Sequence, residues 1–191
     1  MYRKFILIFI AVICLNGSES TAEVYDSTSV GLSYISNTSR ELYHLYWEAP
    51  QGFDLSIRTK FYTGYLELGG SYTSHKSRFS DQADFKAYYP YFGWMHRSQV
   101  NDRIRFWIGP RVGSFIMSFA DGQVNVEGKN ELELGIELFG SAELDLFSKF
   151  ALELSLRHRV IYTRQKIEFT FIAAGIRYDF ETPGWLRGFF R

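Results

Sequence analysis

Four histidines, His44, His75, His96 and His158, are the side chains able to carry acid–base or nucleophilic chemistry near neutral pH. His158 has Glu153 and Ser155 close by in sequence, the residue types of a hydrolytic triad. Residues around it alternate between apolar and polar, so this is strand. On a strand Glu153 and Ser155 share one face and His158 takes the other, and a triad cannot form across two faces. His75 beside Lys76 reads as a solvated loop residue, His96 near Trp94 as a strand-end residue, and His158 as interfacial. Asp121 and Glu127, each followed by glycine, read as turn chemistry and are too sparse for a calcium loop. The single cysteine, Cys14, excludes an intrachain disulfide and any cysteine-based metal site. No glycine-rich phosphate cradle occurs. The expectation is therefore no catalytic residues, no metal and no cofactor.

The elements that would position these residues are set by one stretch, 129–147. Leu132, Leu134, Ile136, Leu138, Gly140, Ala142, Leu144 and Leu146 alternate there with mostly acidic residues, Glu131, Glu133, Glu137, Glu143 and Asp145 among them. A period of two over that length is a β-strand with one greasy and one charged face, longer than the usual strand of about 5–6 residues. The same alternation recurs at 29–35, 42–48, 53–61, 65–73, 84–96, 103–118, 150–162 and 167–180. A closed single-chain bacterial barrel takes an even number of strands. We therefore expect 30–48 to form one irregular strand bulged near Asn37 and Thr38. Joining 53–61 to 65–73 is the alternative route to eight. Pro90 and Pro110 fall inside strand patterns and should mark bulges or a strand end, since proline donates nothing to a ladder. The links at 98–102 and 148–149 are short and fall on one side. Those at 74–83 and 119–128 are longer and fall on the other, while 163–166 is short on that longer side.

The 191 residues carry 21 basic and 21 acidic side chains, so nothing in the net charge attracts nucleic acid. Residues 1–22 read as a secretory signal: Arg3 and Lys4, an apolar run from Phe5 to Leu15, then small residues through Ala22. That run is too short to span a bilayer as a helix. Aromatic residues make up 18% of the chain, high for a soluble domain and ordinary for a barrel with aromatic girdles. On the polar parity of the strands lie Arg105, Arg111, Glu133, Glu137, Glu153, Arg157, Arg159 and Arg177, acids on one strand facing bases on its neighbours. Turned inward, these form an ionic network that fills a lumen too narrow for a channel. Tyr88, Tyr89, Tyr91, Trp94 and Tyr162 are the girdle candidates.

The end of the pattern is the most specific. In 173–180, Gly175 is followed at three and five residues by Tyr178 and Phe180. This resembles the C-terminal sorting signal of bacterial outer-membrane barrels, and the whole layout resembles the small eight-stranded barrels of the OmpA and OmpX kind. The resemblance implies insertion by the barrel-assembly machinery. In those proteins the aromatic usually ends the chain, whereas here 181–191 follow. Thr182-Pro183 suits a helix start, and Trp185, Leu186, Phe189 and Phe190 then share one helical face, a short helix fit to lie in the interface. Small barrels of this layout include lipid A deacylases, which carry a histidine and a serine two apart. Here Val160 stands two residues after His158, so the nucleophile is missing.

The expected fold is all-β, an eight-stranded antiparallel transmembrane barrel over 23–180 with a short C-terminal amphipathic helix. It would be a monomer in the outer membrane of a Gram-negative-type bacterium, in contact with outer-membrane lipid, with a structural or surface-interaction role. A lipid A-modifying enzyme and a soluble periplasmic barrel binding a hydrophobic ligand are the alternatives.

Overall fold

The computed structural model describes residues 27–38, 43–80, 83–119, 130–147, 149–163 and 166–184. It contains eight strands: β1 (Ser27–Asn37), β2 (Gln51–Phe61), β3 (Gly64–His75), β4 (Phe85–Asn101), β5 (Ile104–Phe119), β6 (Asn130–Phe147), β7 (Phe150–Tyr162) and β8 (Ile167–Glu181). Each pairs antiparallel with the next, and β8 closes on β1 from Ser27↔Glu181 to Asn37↔Phe171.

Eight strands arise by a different route from either merger anticipated above. Segment 42–48 is not strand. It holds a single helical turn, α1 (Tyr43–Tyr46). Trp47 N–H donates to the Tyr43 carbonyl at 3.0 Å and the two rings stack with centroids 5.1 Å apart, the spacing of neighbours on a helix. Tyr43 is buried and plugs into the barrel, which alternation alone could not show. β2 and β3 stay separate, joined by a two-residue hairpin in which Tyr62 takes φ 47°.

The prolines do not bulge the sheet or end a strand. Pro90 pairs with Gly70 on β3 and Pro110 with Leu138 on β6. On the shared β4–β5 seam the ladder skips both, yet its register is the same on either side, from Tyr88↔Ile116 to Tyr91↔Gly113. Each proline turns its missing donor toward that seam, and the bonds on both flanks hold the strands in step. The irregularity in this seam lies instead between Gln99 and Asn101.

Short turns at 62–63 and 102–103, with the ends of β6 and β7 at Phe147 and Phe150, lie at the same end of the barrel as Ser27 and Glu181; we call this the turn end. The opposite strand ends, at Asn37, Gln51, His75, Phe85, Phe119, Asn130, Tyr162 and Ile167, lie at the loop end. Residues 1–22 and most of 119–128 lie outside the described residues, as do Trp185, Leu186, Phe189 and Phe190.

Burial is inverted relative to a water-soluble protein. Leu132, Leu134, Ile136, Leu138, Leu152, Leu154, Leu156 and Ile176 are exposed on the outer surface, whereas Glu137, Arg159 and Glu67 are each 0% exposed. In water this would leave a wide apolar band unsatisfied. Facing hydrocarbon, it is the required arrangement.

Candidate functional site: the interior ion network

Glu137 is the centre of the interior. The sheet register sets it directly opposite Arg111 on β5 and Arg159 on β7. Arg111 Nη1 donates to Oε1 at 2.8 Å, while Arg159 reaches Oε2 through Nε at 2.8 Å and Nη2 at 2.7 Å. Arg111 continues through Nε to Glu67 Oε2 at 2.8 Å, and Glu67 Oε1 accepts from Arg58 Nη2 at 3.0 Å. Arg58 and Glu67 are themselves opposite in register. Arg58 Nη1 then donates to Glu143 Oε1 at 2.9 Å. Arg177 Nε lies 3.1 Å from that same oxygen and 3.0 Å from Glu153 Oε2. The result is a continuous alternation of cation and anion from Arg159 to Glu153. Arg157 adds a pair with Asp54 at 3.0 Å, and Tyr91 Oη donates to the same carboxylate at 3.1 Å.

Charge is balanced where solvent is excluded. The buried cations are Arg58, Arg111, Arg157, Arg159 and Arg177; the buried carboxylates are Asp54, Glu67, Glu137, Glu143 and Glu153. Among the described residues, five against five leaves no net buried charge, and each of these ions has an opposite charge beside it. The guanidinium planes also find aromatic faces. Arg111 Cζ lies 3.8 Å from the Phe139 ring centroid, Arg159 Cζ 3.8 Å from that of Tyr89, and Arg58 Cζ 4.2 Å from that of Trp107. Glycine makes the room. A Cβ on Gly31 would come within 2.7 Å of Arg177 Nη2, and one on Gly135 within 2.5 Å of Tyr89 Cε2. Arg105 extends the set toward the turn end, 3.4 Å from Glu143, 2.5 Å from Asp145 and 3.0 Å from Asp179.

Of the eight charged residues anticipated for the interior, seven lie in this set. Glu133 does not. It keeps the inward parity but sits half-buried two rungs beyond Glu137 and makes no ion pair with a described residue. Four buried members were missed, Asp54, Arg58, Glu67 and Glu143, as were Asp145 and Asp179 beside Arg105. Their parity was visible, since Asp54 and Arg58 alternate with Phe53, Leu55 and Ile57. Which distant strands would meet across the lumen was not.

Two of the girdle candidates are corrected. Tyr89 and Tyr91 point into the barrel, 1% and 5% exposed, because they share parity with Ala87 and Met95; Tyr88, Trp94 and Tyr162 face outward. His75 is also corrected. It is the last residue of β3 and is buried, with Nε2 2.8 Å from Thr73 Oγ1 and its ring stacked on Phe85 at 4.1 Å. Tyr43 of α1 bonds to the other ring nitrogen, Nδ1, and burial pushes the Tyr43 hydroxyl well above its ordinary pKa. With Phe115 and Phe169 these residues form an aromatic layer at the loop end.

Ser155 and Glu153 are buried inside and His158 is on the outer surface, so that trio is not assembled. His158 instead has Thr170 Oγ1 3.2 Å from Nδ1 and Glu168 Oε2 3.7 Å from Nε2. Gly175 faces inward on β8 while Tyr178 and Phe180 take the outward parity. At the turn end an open depression of about 450 Å³ is lined by Asp102, Arg103, Asp145, Lys149 and Asp179.

No protein-family model matches the chain, and no curated protein is similar to it. Solved structures do match. Neisserial surface protein A superposes with a TM-score of 0.53 at 16% identity, over 81% of this chain and 96% of that one. The attachment invasion locus protein Ail of Yersinia pestis gives 0.51 at 14%, over 81% and 99%. The outer membrane protein OprG of Pseudomonas aeruginosa gives 0.51 at 10%, over 85% and 99%. At these identities the likeness is one of fold: this chain has the closed eight-stranded architecture of small outer-membrane barrels.

Proposed function

We propose that this protein is a monomeric outer-membrane barrel, exported by its N-terminal signal and inserted by the barrel-assembly machinery. Its lumen is closed by side chains, and its role is structural or surface-interacting, with recognition carried by the loop end. One observation carries this reading: an apolar outer surface encloses ten buried charges that cancel five against five. A water-filled pore would have no need to satisfy charges on one another, and an eight-stranded barrel is just wide enough for side chains to fill. The aromatic layer beneath α1 supports closure at the loop end.

Two measurements test it together. After cell fractionation the protein should stay with membranes through carbonate and leave only in detergent. In planar bilayers it should give no stable conductance steps. Release by carbonate would return the chain to a soluble periplasmic barrel, and reproducible channel steps would refute the closed lumen.

A second reading, a lipid-modifying hydrolase, is favoured by the imidazole of His158 standing between the Thr170 hydroxyl and the Glu168 carboxylate on the outer surface. It is the weaker one. The 3.7 Å contact is too long for a hydrogen bond, and Glu168 is already held by Lys166 at 2.5 Å. An altered acyl pattern of lipid A in cells carrying the protein would favour it over the inert barrel.

A further inference from the structure

The outer surface of β3 and β4 changes character abruptly at the loop end. Tyr72 and Tyr88 are opposite in register with ring centroids 5.3 Å apart, and they face outward. One rung further out, Ser74 pairs with Lys86, and on the same parity of the chain beyond β3 come Lys76 and Arg78. Lys76, Arg78 and Lys86 are all exposed, and none makes an ion pair with a described residue.

Their positions are held by backbone. Glu48 N–H donates to the Lys76 carbonyl at 2.8 Å, and Arg78 N–H to the Tyr46 carbonyl at 2.9 Å, so residues 46–48 and 76–78 pair beyond the end of β3. Of the carboxylates nearby, Asp84 accepts the Ser77 N–H at 2.7 Å, and Glu48 is exposed. Arg78 Nε also donates to the Trp47 carbonyl at 3.4 Å, and among the described residues three exposed cations stand at this rim against two carboxylates.

Height decides what they meet. Outward tyrosines sit at headgroup level in a bilayer. Lys86 is two residues beyond Tyr88 and Lys76 four beyond Tyr72, which at about 3.3 Å per residue and a tilt near 40° is roughly 5–10 Å further from the bilayer centre. Headgroups occupy about the same depth beyond the hydrocarbon. Resting on the outer-membrane reading above, we propose that Lys76, Arg78 and Lys86 form a docking surface for the phosphate groups of an anionic glycolipid in the outer leaflet. Tyr72 and Tyr88 would support its acyl–sugar boundary. The occupant is a membrane lipid, not a soluble anion, because Lys86 stands one rung above the lipid-facing tyrosines on the same sheet face, with the exposed Lys76 and Arg78 just past the end of β3.

The test uses the full chain, folded in detergent and mixed with diphosphorylated lipid A or its phosphate-free form, with bound lipid counted by native mass spectrometry. The wild type should retain the phosphorylated lipid at least about tenfold better. The triple variant K76Q/R78Q/K86Q should lose that preference, the scale expected when several cations are removed beside an anionic surface. The triple variant K76R/R78K/K86R should keep it, and Lys149→Gln at the turn end should not change it. Equal retention of the two lipids would overturn the proposal, as would an unaffected K76Q/R78Q/K86Q. Displacement of the lipid by millimolar inorganic phosphate would also overturn it, marking a soluble-anion site. Each sample is run on a gel with and without heating. Absence of the preference in a wild type that still shifts on heating overturns this surface alone, whereas a wild type that shows no heat-dependent shift overturns the barrel reading as well.

Discussion

Removing one negative charge from the middle of the interior tests the central physical claim most directly. Glu137 is 0% exposed and takes contacts of 2.8, 2.8 and 2.7 Å from Arg111 and Arg159. Glu137→Gln keeps the shape and deletes the charge. It leaves five buried arginines against four carboxylates and aims an amide N–H₂ at guanidinium donors that have nothing to give it. Breaking a buried pair from one side costs about 3–5 kcal/mol. At 1.4 kcal/mol per factor of ten, that is two to three and a half orders of magnitude in the unfolding equilibrium, at about 25 °C. Glu133→Gln is the matched control, on the same strand and parity but outside the network; it should move stability by no more than about 0.5 kcal/mol. Adding Arg159→Met to Glu137→Gln restores neutrality and should recover a large part of the loss. The assay is urea unfolding of protein folded in lipid vesicles, followed by tryptophan fluorescence and by the mobility of unheated samples. A Glu137→Gln variant as stable as Glu133→Gln would refute the claim that the ions are sealed from water. So would a double variant no more stable than Glu137→Gln alone.

Two further substitutions probe the two faces of the wall. Ile136, adjacent to Glu137 on β6, faces outward, so Ile136→Arg should cost about 2–4 kcal/mol in vesicles if it lies near mid-membrane; an indifferent protein would mean that this face meets water. Gly31→Val inserts atoms where a Cβ alone would lie 2.7 Å from Arg177 Nη2, pushing that guanidinium off Ser56, which accepts from it at 3.0 Å. Overpacking of this kind costs about 1–3 kcal/mol in the same urea titration, and a Gly31→Val variant as stable as the wild type would refute the close approach of Arg177 to β1.

How much was legible depends on what information strand alternation carries. Parity assigns a face to every residue, so the leucines of β6 and the arginines of β7 were placed on their faces from sequence. Tyr89 and Tyr91 went wrong because the aromatic run at 88–94 invites reading by residue type, when parity with Ala87 and Met95 puts both inside. Segment 42–48 went wrong for a related reason. Tyr43, Leu45 and Trp47 alternate with His44, Tyr46 and Glu48, but Tyr43 and Trp47 are also one helical turn apart, and over so short a run the two periods are hard to separate. Tyr43 is buried there against the rings of His75 and Phe169, contacts between distant segments that no local period encodes. Contacts across the lumen, such as Arg58 with Glu143, join strands far apart in order, and no local pattern encodes them.

The inverted core also explains how one chain can be both a membrane wall and tractable in water. Each strand must offer lipid an apolar face, and a second apolar face on the inside would make every strand an unbroken greasy run. Filling the lumen with arginine, glutamate and serine keeps mean hydropathy at −0.15 and interrupts β6 with a charge every few residues. Hydrocarbon contact in the closed barrel thus coexists with an unfolded chain that carries no apolar segment of helix-spanning length in its strands. The cost is that these charges must be neutral as a set, and the register provides for it. Glu137 between Arg111 and Arg159, and Arg58 beside Glu67, are cross-strand neighbours. A slip of one residue would turn them all toward lipid while the leucines turned inward. The ion network and the outward leucines therefore favour the same register, and a slipped strand would lose both together.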